Sequence, residues 1–231
     1  MNLQLRLARR VNALRRLVGR SGSVSPSIPT RFLIQEMVAR GVELTRGIVR
    51  FQTLTFVGYG VKVRRRSALD LGRYVVLGRR CDIDALGTLG VILGDGSRLG
   101  KGCVVTTTSH ISRLGVGLVL GSQSSFGDYC HFGASGGIRI GDNVIGGPFV
   151  SFHSQNHVFT STSIPIKQQG TTERGIQIGN NCWIGAKATF VDGSVVASGS
   201  VVAAGAVVSG NYSRPAVLGG VPAEIIRFLD D

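Results

Sequence analysis

One kind of side chain returns every sixth residue towards the C-terminus. Ile178, Ile184, Phe190, Val196, Val202 and Val208 share one slot, and Cys182, Ala188, Ser194, Ser200 and Ala206 stand four places after the first five. A period of six cannot keep to one face of a helix, which repeats every 3.6 residues, but it is a multiple of the two-residue repeat of a strand. Short strand and turn, three times over, close a triangular coil of about 18 residues. The slot residue fills the coil axis, and the small residue four places on leaves it room. The expected fold is therefore mainly β: a left-handed parallel β-helix of about six coils, preceded by an N-terminal helical segment.

The slot extends upstream through Leu71, Leu77 and Ile83, through Leu93, Leu99 and Val105, through Leu120, Phe126 and Phe132, and through Ile140, Gly146 and Phe152. A partial coil is expected near Val57–Val63, and the breaks between sets are expected to be corner loops. Cys81, Cys103, Cys130 and Cys182 each lie four places after a slot residue. They read as packed core thiols rather than a metal cage or disulfides, which points to a reducing, cytoplasmic compartment.

The charge is lopsided. Of 26 Lys and Arg, 17 fall in the first 80 residues, together with 3 of the 13 Asp and Glu, and the whole chain carries +13. The division expected is a basic helical region over 1–52 and a β-helix domain over 53–231 with an extended loop at 154–177. Leu3, Leu7, Val11, Leu14 and Leu17 recur at helical spacing among arginines, and residues 31–50 read as a second helix. Such a region either caps the first coil or rests on an anionic membrane surface at its inner face. No pattern of nucleic-acid recognition accompanies the charge. No apolar run reaches the roughly 18 residues that span a bilayer.

Counting in sixes stops between Phe152 and Ile178. The intervening stretch from His153, HSQNHVFTSTSIPIKQQGTTERG, is polar and holds two of the four histidines, His153 and His157. A long polar excursion from a regular scaffold is either a tolerated surface insertion or the place where function sits. By extrapolated register Asn156 takes the small inward position. His110, His131 and His157 each fall five places after a slot residue. Trp183, beside the inward Cys182, should face outward.

Asn156-His157, IPIKQQG, IQIGNNCWIGAKA, VVAAGAVV and GGVPAEIIR together resemble the hexapeptide-repeat O-acetyltransferases, above all the maltose/galactoside acetyltransferases and the sugar acetyltransferases of capsule, lipopolysaccharide and exopolysaccharide synthesis. The resemblance covers roughly 55–228. It implies transfer of acetyl from acetyl-CoA to a sugar hydroxyl in a homotrimer with sites between subunits, and no metal. His157 takes the position of the catalytic base. Asn156, His153, Trp183 and Asp84 are candidates for the saccharide acceptor. Backbone at Ala186 and Ala204 is expected along the pantetheine arm, with Ser209 further along and Arg227 at the phosphates. Gly210 and Glu224 depart from positions that are usually basic, which shifts phosphate binding towards Arg227, Lys187 and Arg214. The alternatives are an antibiotic or other small-molecule acetyltransferase, a zinc carbonic anhydrase on the same coil, which needs three converging histidines, and a trimeric binding coil without catalysis.

Overall fold

The computed structural model describes residues 8, 11–12, 24–25, 27–110 and 112–229. Most of the basic helix expected over residues 3–20 lies outside the described residues. The rest of the chain winds into a left-handed parallel β-helix whose turns follow the six-residue slot. On the first face, Val57, Leu77, Leu99, Phe126, Gly146, Ile184, Val202 and Leu218 are paired coil to coil. Val63, Ile83, Val105, Phe132, Phe152, Phe190 and Val208 form the second row. The third row runs Leu71, Leu93, Leu120, Ile140, Ile178, Val196 and Tyr212. The first face has eight consecutive parallel strands and the other two have seven each, so the coil suggested near Val57–Val63 is complete.

The rows make the core because neighbouring coils are about 4.8 Å apart, the spacing at which like side chains touch. Phe132 and Phe152 stack at 5.2 Å between ring centroids, Phe152 and Phe190 at 4.7 Å, and Phe126 meets Phe132 edge-on at 5.2 Å. Each ring is fully buried, a gain of about 1.5–3 kcal/mol apiece before pairing is counted. Gly146 stands in a slot because the Phe126 ring occupies the space its Cβ would take.

The small inward position has a second physical role. The Sγ atoms of Cys81, Cys103 and Cys130 donate to the carbonyls of Gly100, Gly127 and Gly147 in the next coil, at 3.1, 3.3 and 3.3 Å. Cys182 does the same to Ala197 O at 3.3 Å, and Ser124 and Ser194 to Gly141 O and Val208 O at 2.7 Å. A short donor thus satisfies a corner carbonyl that the ladder leaves buried. All four cysteines are buried and free. Hydrogen bonding with Cys103, followed by burial, pushes the Cys81 and Cys130 thiols well up, and burial raises Cys182.

Two breaks in the count are only in part corner loops. Gly87–Leu93 and Gly115–Leu120 are lengthened strands of the third face that pair with each other. Gly90 and Gly117, at φ +72° and +137°, sit where any Cβ would strike the neighbouring backbone.

The helix Thr30–Phe51, here α1, packs across the start of the coil. Leu33 and Gly47 are buried, a Cβ on Gly47 would collide with Thr55 O, and Arg50 Nη1 donates to Val61 O at 2.7 Å. Towards solvent α1 leaves Phe32, Ile34, Val38 and Val49 exposed. At the other end the chain turns back as Ala223–Phe228, antiparallel to Ala216–Gly220.

Candidate active site

The excursion leaves the corner between the second and third faces. Ser154 holds its root: the buried hydroxyl donates to Gly133 O at 2.8 Å and accepts from Gly136 N at 3.0 Å. Ser154, and not Asn156, therefore fills the inward position. Asn156 is exposed, because the chain has already left the coil and the six-residue count no longer applies to it. Asn156–His157 instead pairs antiparallel with Thr171–Thr172, placing His157 opposite Thr171 in a short hairpin. The tip is tied by Gln169, whose Nε2 donates to Ser161 O and Ile164 O at 2.8 and 2.7 Å.

At the exit Asp192, 8% exposed, accepts the amides of Arg174 and Gly175 at 2.7 and 2.8 Å and the Thr172 hydroxyl at 3.0 Å. A second clamp joins the hairpin to the segment before Gly115. Gln155 Nε2 donates to Glu173 at 2.8 Å, Ser109 Oγ donates to Gln155 Oε1 at 2.8 Å, and Arg113 pairs with Glu173 at 3.0 Å. Asp192, Gln155, Glu173 and Arg113 were not singled out from sequence. Glu173 carried the one available signal, as the only acidic residue in the polar excursion.

The clamps hold the backbone of His157 while its imidazole stays exposed, with no hydrogen-bond partner among the described residues. An exposed ring on a latched hairpin is free to accept a proton from a bound molecule. His153 points outward from the second face, its Nε2 2.7 Å from Ser151 Oγ, and its ring centroid lies 5.5 Å from that of His131. Burial, and then the neighbouring His153 charge, lower the His131 pKa below its ordinary value of 6.5. His110 is engaged with Ser112 at 2.6 Å in the preceding loop. The shared offset of His110, His131 and His157 thus does not translate into one row: they occupy a loop, a strand and a hairpin. Among the described residues no three His, Cys, Asp or Glu converge as metal ligands.

The remaining candidates are spread around the prism. Trp183 faces outward from the first face, 60% exposed, beside exposed Ile145. Ala186 and Ala204 occupy the corner between the first and second faces, joined by Gly205 N to Ala186 O at 2.9 Å. Ser209 is exposed just after the second-face strand Val207–Val208. Arg227 is exposed on the closing strand opposite Val217. Asp84 accepts Leu86 N at 3.0 Å and pairs with Arg64 at 3.3 Å, the bonds of a structural turn. Within one chain, His157 stands at one corner of the prism and the Ala186–Ala204 pair at another.

Two stretches of the coil match models of hexapeptide-repeat transferases. Residues 175–210 match the bacterial transferase hexapeptide (six repeats), and residues 71–107 match the hexapeptide repeat of succinyl-transferase. Among individual relatives, Rv3034c of Mycobacterium tuberculosis, named as an acetyltransferase, is 27% identical over 80% of this chain and 51% of its own length. The chain therefore spans about half of that relative. WbbJ of Escherichia coli K12, named as a lipopolysaccharide biosynthesis O-acetyl transferase, is 27% identical over 59% of this chain and 74% of its own. A crystal structure of the Bacillus cereus N-acyltransferase AntD superimposes with a TM-score of 0.55 at 19% identity, covering 75% of this chain and 86% of AntD.

Proposed function

We propose that this protein is an acetyl-CoA-dependent O-acetyltransferase that acts on a sugar hydroxyl in surface polysaccharide biosynthesis. The observation that carries the reading is the latched hairpin, which presents an unpartnered imidazole, His157, from a coil whose repeats match those of bacterial transferases. The identities of WbbJ and Rv3034c support the same chemistry. AntD, solved with dTDP and coenzyme A, supports a coenzyme A donor and a nucleotide ligand on this fold.

In the reaction, the acceptor hydroxyl attacks the thioester carbonyl while His157 takes its proton. The tetrahedral oxyanion collapses, the C–S bond breaks, and the proton passes from the imidazolium to the departing thiolate. A positioned base of this kind contributes about 10²–10⁴-fold, and a fixed backbone N–H at the oxyanion supplies further stabilisation. Ala186 and Ala204 present small side chains that let the pantetheine arm approach the backbone, Ser209 lies along its path, and Arg227 meets the phosphates. Trp183 offers an aromatic face to donor or acceptor, while His153 and Asn156 flank the base. Because His157 and the alanine corner are separated in one chain, the complete site combines two copies, as in a homotrimer. The exposed apolar residues of α1 and the basic N-terminal third suit peripheral contact with an anionic membrane surface from the cytoplasmic side. Among the described residues no helix is long and apolar enough to cross a membrane.

The test is acetyl-CoA turnover against sugars, nucleotide sugars and lipid-linked saccharides. His157→Ala should lower turnover by about 10²–10⁴-fold with an unchanged thermal melt. Full activity in that variant refutes the role of the base.

A further inference from the structure

The corner between the first and second faces carries one unbroken backbone ladder. Arg80 N donates to Tyr59 O, Gly102 N to Arg79 O, Tyr129 N to Lys101 O, Phe149 N to Asp128 O, Lys187 N to Pro148 O and Gly205 N to Ala186 O, all at 2.8–3.0 Å. Side chains along it change character from end to end. At the C-terminal end stand Ala186 and Ala204. In the middle, Tyr129 and Phe149 stack at 5.5 Å with planes 17° apart, both rings about half exposed. At the N-terminal end α1 forms one wall of an open cleft of about 660 Å³ over the corner, within the range of small-molecule sites.

The cleft is lined by Arg46, Arg79, Arg80 and Lys101, by the rings of Tyr59 and Tyr129, and by one carboxylate, Glu43. Glu43 is already paired with Arg40 at 2.7 Å. Lys101 leans towards Asp128 at 3.4 Å and lies 5.6 Å over the Tyr129 ring. Arg46 reaches Val57 O at a long 3.5 Å. Arg79 and Arg80 are exposed and have no carboxylate partner among the described residues. Adjacent guanidinium groups in a concave site bind phosphate oxygens in paired hydrogen bonds. Aromatic rings beside them accept a sugar or an apolar chain.

We propose that this cleft binds the diphosphate of an activated acceptor, either a nucleoside diphosphate sugar or a prenyl diphosphate-linked saccharide. The proposal rests on the acetyltransferase reading for the direction of approach. Tyr129 is two coils from Lys187 along the ladder, about 10 Å at the coil spacing. A diphosphate seated among the arginines therefore projects its sugar over the Tyr129–Phe149 stack, towards the acyl end of a donor lying against Ala186 and Ala204. Donor and acceptor enter from opposite ends of one corner.

Calorimetric titration of the full chain with dTDP, farnesyl diphosphate and inorganic pyrophosphate tests this, with acetyl-CoA as a parallel titrant. At least one diphosphate should bind, and the Arg79→Gln/Arg80→Gln double variant should weaken it tenfold or more. Lys101→Gln should give a smaller loss, and the melting temperature and acetyl-CoA affinity should stay within error and within twofold. Tighter binding of dTDP than of pyrophosphate identifies a nucleotide-linked acceptor. Preference for farnesyl diphosphate identifies a lipid-linked one, and equal binding of all three identifies the diphosphate alone as the recognised group. The proposal is overturned if none of the three binds, or if the double variant binds as the wild type does. Diphosphate binding without any acetyl-CoA binding removes the acetyltransferase reading and leaves the diphosphate site standing.

Discussion

Removing one carboxylate should loosen the hairpin that presents His157 without touching the coil. Among the described residues Asp192 is the sole acceptor for the Arg174 and Gly175 amides, and it also takes the Thr172 hydroxyl. Hydrogen bonds to a charged group contribute about 1.5–3 kcal/mol each, less than additively when they share an atom. Asp192→Ala therefore makes local opening easier by about 3 kcal/mol, close to 10²-fold at 1.4 kcal/mol per decade. Asp192→Asn keeps Oδ1 for both amides and lets its new NH₂ donate to the Thr172 hydroxyl, so its cost is about 1 kcal/mol. Amide hydrogen exchange resolves the two. The Arg174 and Gly175 amides should exchange about 10²-fold faster in the alanine variant, while the Trp183 amide, bonded to Ser200 O within the coil, should keep its wild-type rate. Acetyl transfer should fall in the same order, because His157 is paired across from Thr171. Equal exchange in wild type and Asp192→Ala, or an asparagine variant as loose as the alanine one, refutes the latch.

Two further measurements follow from the core and the second face. Phe126→Ala should cost about 3–5 kcal/mol by urea denaturation and Gly146→Ile about 1–3 kcal/mol by overpacking. The double variant should recover at least about 1 kcal/mol of the sum, since the isoleucine fills the vacated ring space, and strict additivity refutes the pairing. His131, its pKa held down by burial and then by the His153 charge, binds fewer protons folded than unfolded. Stability is therefore full above pH 6.5 and declines as pH falls from there towards the lower folded value, and His131→Gln should flatten that decline in the urea midpoint. A slope unchanged by the substitution refutes this assignment.

The inward rows were legible because every coil repeats the same requirement at the same interval. The pairings of Ile178 with Val196 and of Phe190 with Val208, each 18 residues apart, follow directly from counting in sixes. The cysteine positions followed from the same count, though their bonding to the next coil's carbonyls did not, since that depends on the stacking distance. Asn156 was misplaced because the count was carried past Ser154, where the chain departs from the coil. The long strands Gly87–Leu93 and Gly115–Leu120 were read as loops because they stabilise each other across intervening sequence and carry no period of six. The clamp of Gln155, Glu173 and Arg113 was invisible for a related reason. Polar side chains from separate loops meet only once the coil has brought the loops together.

A stack of like rungs has no inherent length: each exposed end is a template for another rung, of this chain or of a neighbour. Here both ends are closed by elements that do not count in sixes. A helix lies across the first rung, and a reversed strand, Ala223–Phe228, occupies the last edge of the first face. Tandem duplication of a middle rung would therefore lengthen the prism without disturbing either closure, whereas loss of one would bare a strand edge as a template for another copy.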